Sequence, residues 1–314
     1  MYTLFFTADI QGSDICWNKL LNAADLFHVD ALIVSGNLIG SALQPMVREE
    51  GGTWRSVLGQ TPVRVKTREE ISALEEKIRN MGRFPCRVSP EEALELEHSP
   101  TLRQKRLEQE ARHVLRHWLE LAEGKLKKAG RRLIMMAGEQ DPSFVDAIIG
   151  ASSAVERAHG KIITLNPNHK LISAGPFRNG GQEDDSHRFK EQEMFRHLQD
   201  RVSELGEVYR NIFNIQIPPL DATLCNAVCL NCAREKDNRS DYYPPGSAAV
   251  RRLIETYQPL LSLHGYTHGR ENKFTHIGRT LCCVPGNGRL EGLLSGFLIT
   301  LKKSEILDFQ PIQG

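Results

Sequence analysis

An apolar run over residues 2–8 stops at Asp9, and residues 14–28 follow with Trp17, Leu20, Leu21, Ala24 and Phe27 at helical spacing. A continuous apolar stretch over 31–35 then closes on Gly36 and Asn37, the pattern of a strand buried on both faces. Strand, helix and strand in this order predict a βαβ unit. It sets Asp9 and Asn37 at the carboxyl ends of neighbouring strands, where open α/β sheets place their ligands.

The rhythm changes over 44–130. Residues 69–81 read as a charged helix and 101–129 as a long one. The long helix carries an apolar stripe through Leu107, Ala111, Val114, Leu115, Trp118, Leu119, Ala122 and Leu126. Such a stripe docks on the parent domain, a protein partner or a second copy of the chain. Its basic runs at 103–106 and 127–132 alternate with Glu108, Glu110, Glu120 and Glu123, as on a solvated, ion-paired helix face. A strand is expected at 132–137, ending in Gly138-Glu139-Gln140-Asp141-Pro142, and further strands at 161–165, 170–174 and 211–217. A loop at 177–186 and a polar helix at 187–210 separate the last two of these. The remainder predicts a helix at 247–257 and strands near 260–263, 279–284 and 296–301.

Composition narrows the class. The 314 residues are 40% hydrophobic and 25% charged, which excludes disordered, collagenous and membrane-spanning chains. A net charge of +1 gives no general reason to expect nucleic-acid or anionic-membrane binding. The N-terminus reads as a first buried strand rather than a signal peptide. Seven cysteines, an odd number, fit a reducing cytoplasm better than a disulfide framework. A cytoplasmic location is therefore expected.

Five strand-end segments then fall in one order: Ala8-Asp9-Ile10-Gln11-Gly12, Ser35-Gly36-Asn37, Ala137-Gly138-Glu139-Gln140-Asp141, Asn214-Ile215-Gln216-Ile217-Pro218-Pro219 and Leu263-His264-Gly265-Tyr266-Thr267-His268. In order and spacing they resemble the calcineurin-like metallophosphoesterase family, whose signature is D-x-H, G-D, G-N-H-[ED] or G-N-D-D, H-x-P-P and G-H-x-H. The resemblance runs from about residue 2 to 300 and implies an α/β fold, a four-layer α-β-β-α sandwich. Blocks lie on both sides of 44–130, so that stretch is expected to be a helical insertion within a single domain, 1–314.

In the family, side chains from these blocks hold two metal ions that activate a bridging hydroxide. Carried over position by position, the ligands would be Asp9, Gln11, Asn37, Glu139, Gln216, Tyr266 and His268. Asp9 and His268 keep the pattern. Gln11, Gln216 and Tyr266 stand in place of histidines, Asn37 in place of the bridging aspartate and Glu139 in place of an asparagine. Gln140 takes the position often held by the acid–base histidine. Each change has a physical cost: Asn37 offers one neutral carbonyl and a donor NH2 where two anionic oxygens are needed. A glutamine oxygen is a weak ligand for the metals that imidazole binds, and a phenol ionises only near pH 10. Neutral amides can instead satisfy one another directly, where bare charged ligands would repel.

The expectation is thus a pseudo-phosphoesterase, with no catalytic residue and no resident cofactor, acting as a binding, scaffold or regulatory protein. It would meet a protein partner or its own copy through the insertion, with a small anionic ligand possible in the pocket. One alternative is a phosphoesterase using a single divalent metal (Mn, Zn or Fe) at Asp9, Glu139 and His268. Another is a metal or iron–sulfur protein built on Cys225, Cys229 and Cys232. At helical spacing those three fall at about 0°, 40° and −20°, on one face, where thiolates can converge on zinc or a cluster. Three cysteines packed as small hydrophobes give the same spacing. Cys282 and Cys283 read as packed strand residues, and Cys16 and Cys86 stand alone. His264 lies beside the site, where a backbone-bonded histidine is commoner than a ligand, while His28, His113, His117 and His197 lie on helix patterns. Gly286-Asn287-Gly288 is a turn signal.

Overall fold

A computed structural model describes residues 1–175, 187–221, 223–224, 246–266 and 269–314, with only the backbone of 187–190. Cys225, Cys229, Cys232 and His268 lie outside the described residues.

Among the described residues, two six-stranded sheets carry the fold. The first has the spatial order Glu305–Gln313 (β16), Ser295–Lys302 (β15), Tyr2–Ala8 (β1), Ala31–Ser35 (β2), Arg132–Met136 (β7) and Glu156–Arg157 (β8). The second runs Lys273–Ile277 (β13), Thr280–Val284 (β14), Leu261–Leu263 (β12), Ile212–Ile215 (β11), His169–Ala174 (β10) and Ile162–Asn166 (β9). In the first, β1, β2, β7 and β8 are parallel; in the second, β10, β11, β12 and β14 are. The expected strands and helices appear, with ends moved by a few residues.

Alternation along the strands decides which face each residue serves. Leu4, Phe6, Ile33, Ile134 and Met136 of the first sheet pack against Leu171, Ile212, Leu261, Leu263 and Cys283 of the second. Their chain neighbours Phe5, Leu32, Val34, Leu133 and Met135 point the other way, under Asp14–Leu26 (α1), Pro100–Leu126 (α4) and Ser143–Ala151 (α5). On the second sheet, Ile172, Phe213, Ile215, Cys282 and Val284 pack under His187–Ser203 (α6) and Ala248–Tyr257 (α7). The central strands therefore read as nearly continuous apolar runs, because both faces of each sheet are covered. Cys282 and Cys283 split between the two faces as neighbouring strand residues must, and both are buried.

The stretch expected to be helical contains a third sheet. Its order is Thr61–Val65 (β5), Trp54–Leu58 (β4), Leu43–Arg48 (β3) and Phe84–Val88 (β6), with Arg68–Asn80 (α2) against it and Pro90–His98 (α3) following. Arg48, Glu49, Glu50, Arg55 and Arg64 break up the apolar pattern, which hid these strands in the sequence. Gly59 at φ 63° makes the tight β4–β5 turn. Met46, Ile71, Leu74 and Ile78 form the small core beneath it.

The apolar stripe of α4 is buried inside the chain. Trp118 stacks on Trp17 with ring centroids 4.8 Å apart, and its Nε1 donates to Asp14 Oδ1 at 2.6 Å. A partner meeting this region would find the polar face of α4, with its Arg106–Glu110 and Lys127–Glu123 pairs, or the third sheet.

Three glycines join that sheet to the strand ends of the first. A Cβ on Gly40 would lie 2.1 Å from the carbonyl oxygen of Gly82, one on Gly82 2.2 Å from that of Gln11, and one on Gly12 2.6 Å from Gly40 N. Ser13 Oγ adds a bond to Asn80 O at 2.7 Å. Gly40→Ala should therefore cost about 1–3 kcal/mol in urea unfolding through overpacking. Gly124→Ala, exposed in the last turn of α4 with open space around it, should instead add up to about 1 kcal/mol.

Candidate functional site

The carboxyl ends of β1, β2, β7, β11 and β12 converge on one rim, stitched by their own backbone. Gln11 N donates to Asn37 O at 2.8 Å, Gly36 N to Met136 O at 3.0 Å and Gly265 N to Gln216 O at 2.9 Å. Four described residues other than glycine turn left-handed here: Asp9 (φ 56°), Gln11 (φ 47°), Asn37 (φ 49°) and Tyr266 (φ 60°). That conformation costs energy for an L-residue, and its concentration on one rim marks a built site.

Asp9 and Asn37 are both buried, and Asn37 Nδ2 donates to Asp9 Oδ1 at 2.6 Å. The orientation of the amide is fixed from its other side. Gln140 N, which can only donate, faces Asn37 Oδ1 at 3.0 Å, so the NH2 must face Asp9. Gln216 is fixed in the same way, since Glu139 N donates to its Oε1 at 2.9 Å. Its Nε2 is then a buried donor without an acceptor among the described residues, lodged against Gly36 and Gly138. A Cβ on either glycine would come within 2.5 Å of that nitrogen, so both positions need glycine. Gln11 Nε2 approaches Gln140 Oε1 at 3.4 Å on the exposed side. Glu139 and Gln140 are exposed and Tyr266 half-buried.

A two-metal centre does not fit these residues. Asn37, at the position that the resemblance would set between two ions, carries an NH2 aimed at the Asp9 carboxylate, and a second buried NH2 comes from Gln216. Donor hydrogens and cations cannot share that space. Among the described residues, no group of three His, Cys, Asp or Glu side chains could hold a metal ion.

Two structural residues complete the rim. His264 is fully buried, and its Nδ1 donates to Ile215 O at 2.8 Å, with Ile217 O at 3.2 Å. It therefore clamps the backbone on either side of Gln216. Burial pushes the imidazole down to about 4, with the two carbonyl bonds opposing. The sequence singled out no role for Asp141. Its buried carboxylate accepts from Leu38 N and Ile39 N, both at 2.9 Å, and from Gly138 N at 2.7 Å, tying the β2 loop to the β7 loop. The available signal was an aspartate just past a strand end and directly before Pro142.

The sequence matches no family model and no curated protein. Solved structures share the fold. TT1561 of Thermus thermophilus is 15% identical, with 99% of this chain and 98% of that one aligned at a TM-score of 0.51. A second structure, 14% identical, covers 98% of both chains at 0.54. An archaeal phosphodiesterase, 14% identical over 64% of this chain and 91% of its own, reaches only 0.25, too low to bear on the fold.

The buried His264 makes stability pH-dependent. Its folded value lies below the ordinary 6.5, so the unfolded chain takes up the proton first. Stability should be full above pH 6.5 and fall as pH drops toward 4, by about 2 kcal/mol at pH 5. His264→Asn, which can keep a donor near Ile215 O, should remove that loss when urea unfolding is compared at pH 7 and pH 5.

Proposed function

We propose that this chain is a pseudo-phosphoesterase: a metallophosphoesterase-like domain whose two-metal site has been replaced by an amide network. The observation that carries the reading is the Asn37 amide, fixed by Gln140 N so that its NH2 meets Asp9. The sheets and their outer helices form a four-layer α-β-β-α sandwich, and 44–130 is an insertion within the single domain 1–314. The protein acts without a resident cofactor, in the cytoplasm, as a binding, scaffold or regulatory protein. Its macromolecular partner is a protein or a second copy, engaged through the surface of the insertion. Nucleic acid is not its ligand, and no helix among the described residues is long and apolar enough to cross a membrane.

Elemental analysis of anaerobically purified protein, before and after excess Mn2+, tests the reading. No stoichiometric metal and no metal-dependent hydrolysis of bis-p-nitrophenyl phosphate are expected. One equivalent of Mn, Zn or Fe together with turnover, both lost in Asp9→Ala, would replace the reading with a single-metal hydrolase at Asp9, Glu139 and His268. Iron with sulfide, lost in Cys229→Ser, would move the function to Cys225, Cys229 and Cys232.

A further inference from the structure

Helix α3 and the start of α4 meet at Ser99 and form an exposed corner of the insertion. Leu96 is the buried side chain of α3. Leu94, two residues before it, lies about 160° around the helix and is 56% exposed. In α4 every residue from Thr101 to Arg106 is exposed, so about 9 Å of helix stands clear of the domain. Leu102 falls about 180° from the buried Ala111 and is 40% exposed. A helix end exposed on every side is marginal by itself, even with Leu102 N donating to the Ser99 cap at 3.3 Å.

The two leucines carry the same spacing of opposite charge. Glu95 and Glu97 stand one and three places after Leu94, and Arg103 and Lys105 stand one and three places after Leu102. All four are exposed, and none has an ion pair among the described residues. Their neighbours are engaged: Ser89 donates to Glu91 and Glu92 at the α3 cap, and Arg106 pairs with Glu110 at 3.1 Å. Both unpaired sets oppose the dipole of their own helix. The acids sit in the last turn of α3 and the bases in the first two turns of α4, whose first turn holds no acid. The chain's net charge of +1 adds no long-range repulsion between copies.

We propose that this corner binds a second copy of the chain, with α3 of each copy against the start of α4 of the other. A two-fold interface must be complementary to itself, and a corner with one acidic and one basic arm meets that condition. Leu94 then packs against Leu102, while Glu95 and Glu97 face Arg103 and Lys105 in each half of the dimer. Leucine contacts rimmed by exposed charges make a small interface, so dimer and monomer are in exchange. The inference rests on the reading that the protein meets its partner through the surface of the insertion, and it names that partner as the chain itself.

Sedimentation velocity of the full chain over a range of concentrations tests it, at low and at high salt. A concentration-dependent dimer is expected, weaker in high salt. Glu95→Lys with Glu97→Lys should weaken it about tenfold or more, and so should Arg103→Glu with Lys105→Glu, since each reversal sets like charges face to face. Combining all four substitutions restores opposite charges and should bring the affinity back to within about threefold of the original. Lys77→Glu, an exposed reversal on α2, should leave it unchanged. Thermal melts of each variant confirm that it folds. A chain that stays monomeric up to about 1 mM overturns the inference and leaves the insertion standing as a surface for another protein. Reversals that weaken the dimer without recovery in the fourfold variant overturn the pairing of α3 with α4. Hydrogen exchange at high and low concentration locates the contact. Protection at 89–106 supports the inference, and protection elsewhere in 44–130 overturns it alone. Protection confined to the rest of the chain overturns the reading of the insertion as well.

Discussion

A carboxylate buried where two sheets end must be answered by donors or cations, and much of this rim is arranged around that requirement at Asp9. An ionised group shielded from water costs several kcal/mol unless it is bonded. Where two divalent ions would meet that cost, a carboxylate at position 37 would be welcome; without them it would repel Asp9. The Asn37 amide resolves the conflict with nearly the same shape, giving Asp9 an N–H and turning its oxygen toward Gln140 N. Gln216 repeats the solution with Glu139 N. Each amide is oriented by a backbone donor from the loop after β7, so that loop is as much part of the network as the side chains.

That loop is held in turn by a chain of tight approaches. Asp141 draws the loops after β2 and β7 together through three backbone N–H groups. Gly36 and Gly138 leave space for the Gln216 amide, and His264 fixes the strand end that carries it. Gly12, Gly40 and Gly82 then lock the third sheet onto the same rim. The third sheet is thus fixed to the site by backbone contact, with little room for one to move without the other.

Much of this was legible in the sequence, for a definite physical reason. Strands buried on both faces are continuous apolar runs, so β1, β2 and β7 announce themselves, and the polar residues that end them mark the rim. The α4 stripe was visible, but its destination was not: nothing in the spacing tells Trp17 from a partner's side chain as the surface that covers Trp118. β3 to β6 escaped because a small sheet with one exposed face carries charges at the outward positions, and their spacing reads as helix or loop. Asp141 escaped because its work is done by backbone donors, which leave no trace in residue identity.

The same requirement reaches the loop after β14. Asp9 and Arg289 line one narrow crevice with room for about one water. Burial lowers the proton affinity of Arg289, and the Asp9 charge is the first to oppose that shift. The acid that the Asn37 amide answers on one side thus also meets the field of a guanidinium, so a change that neutralised Asp9 would weaken the support of a partly desolvated cation as well as free the amide.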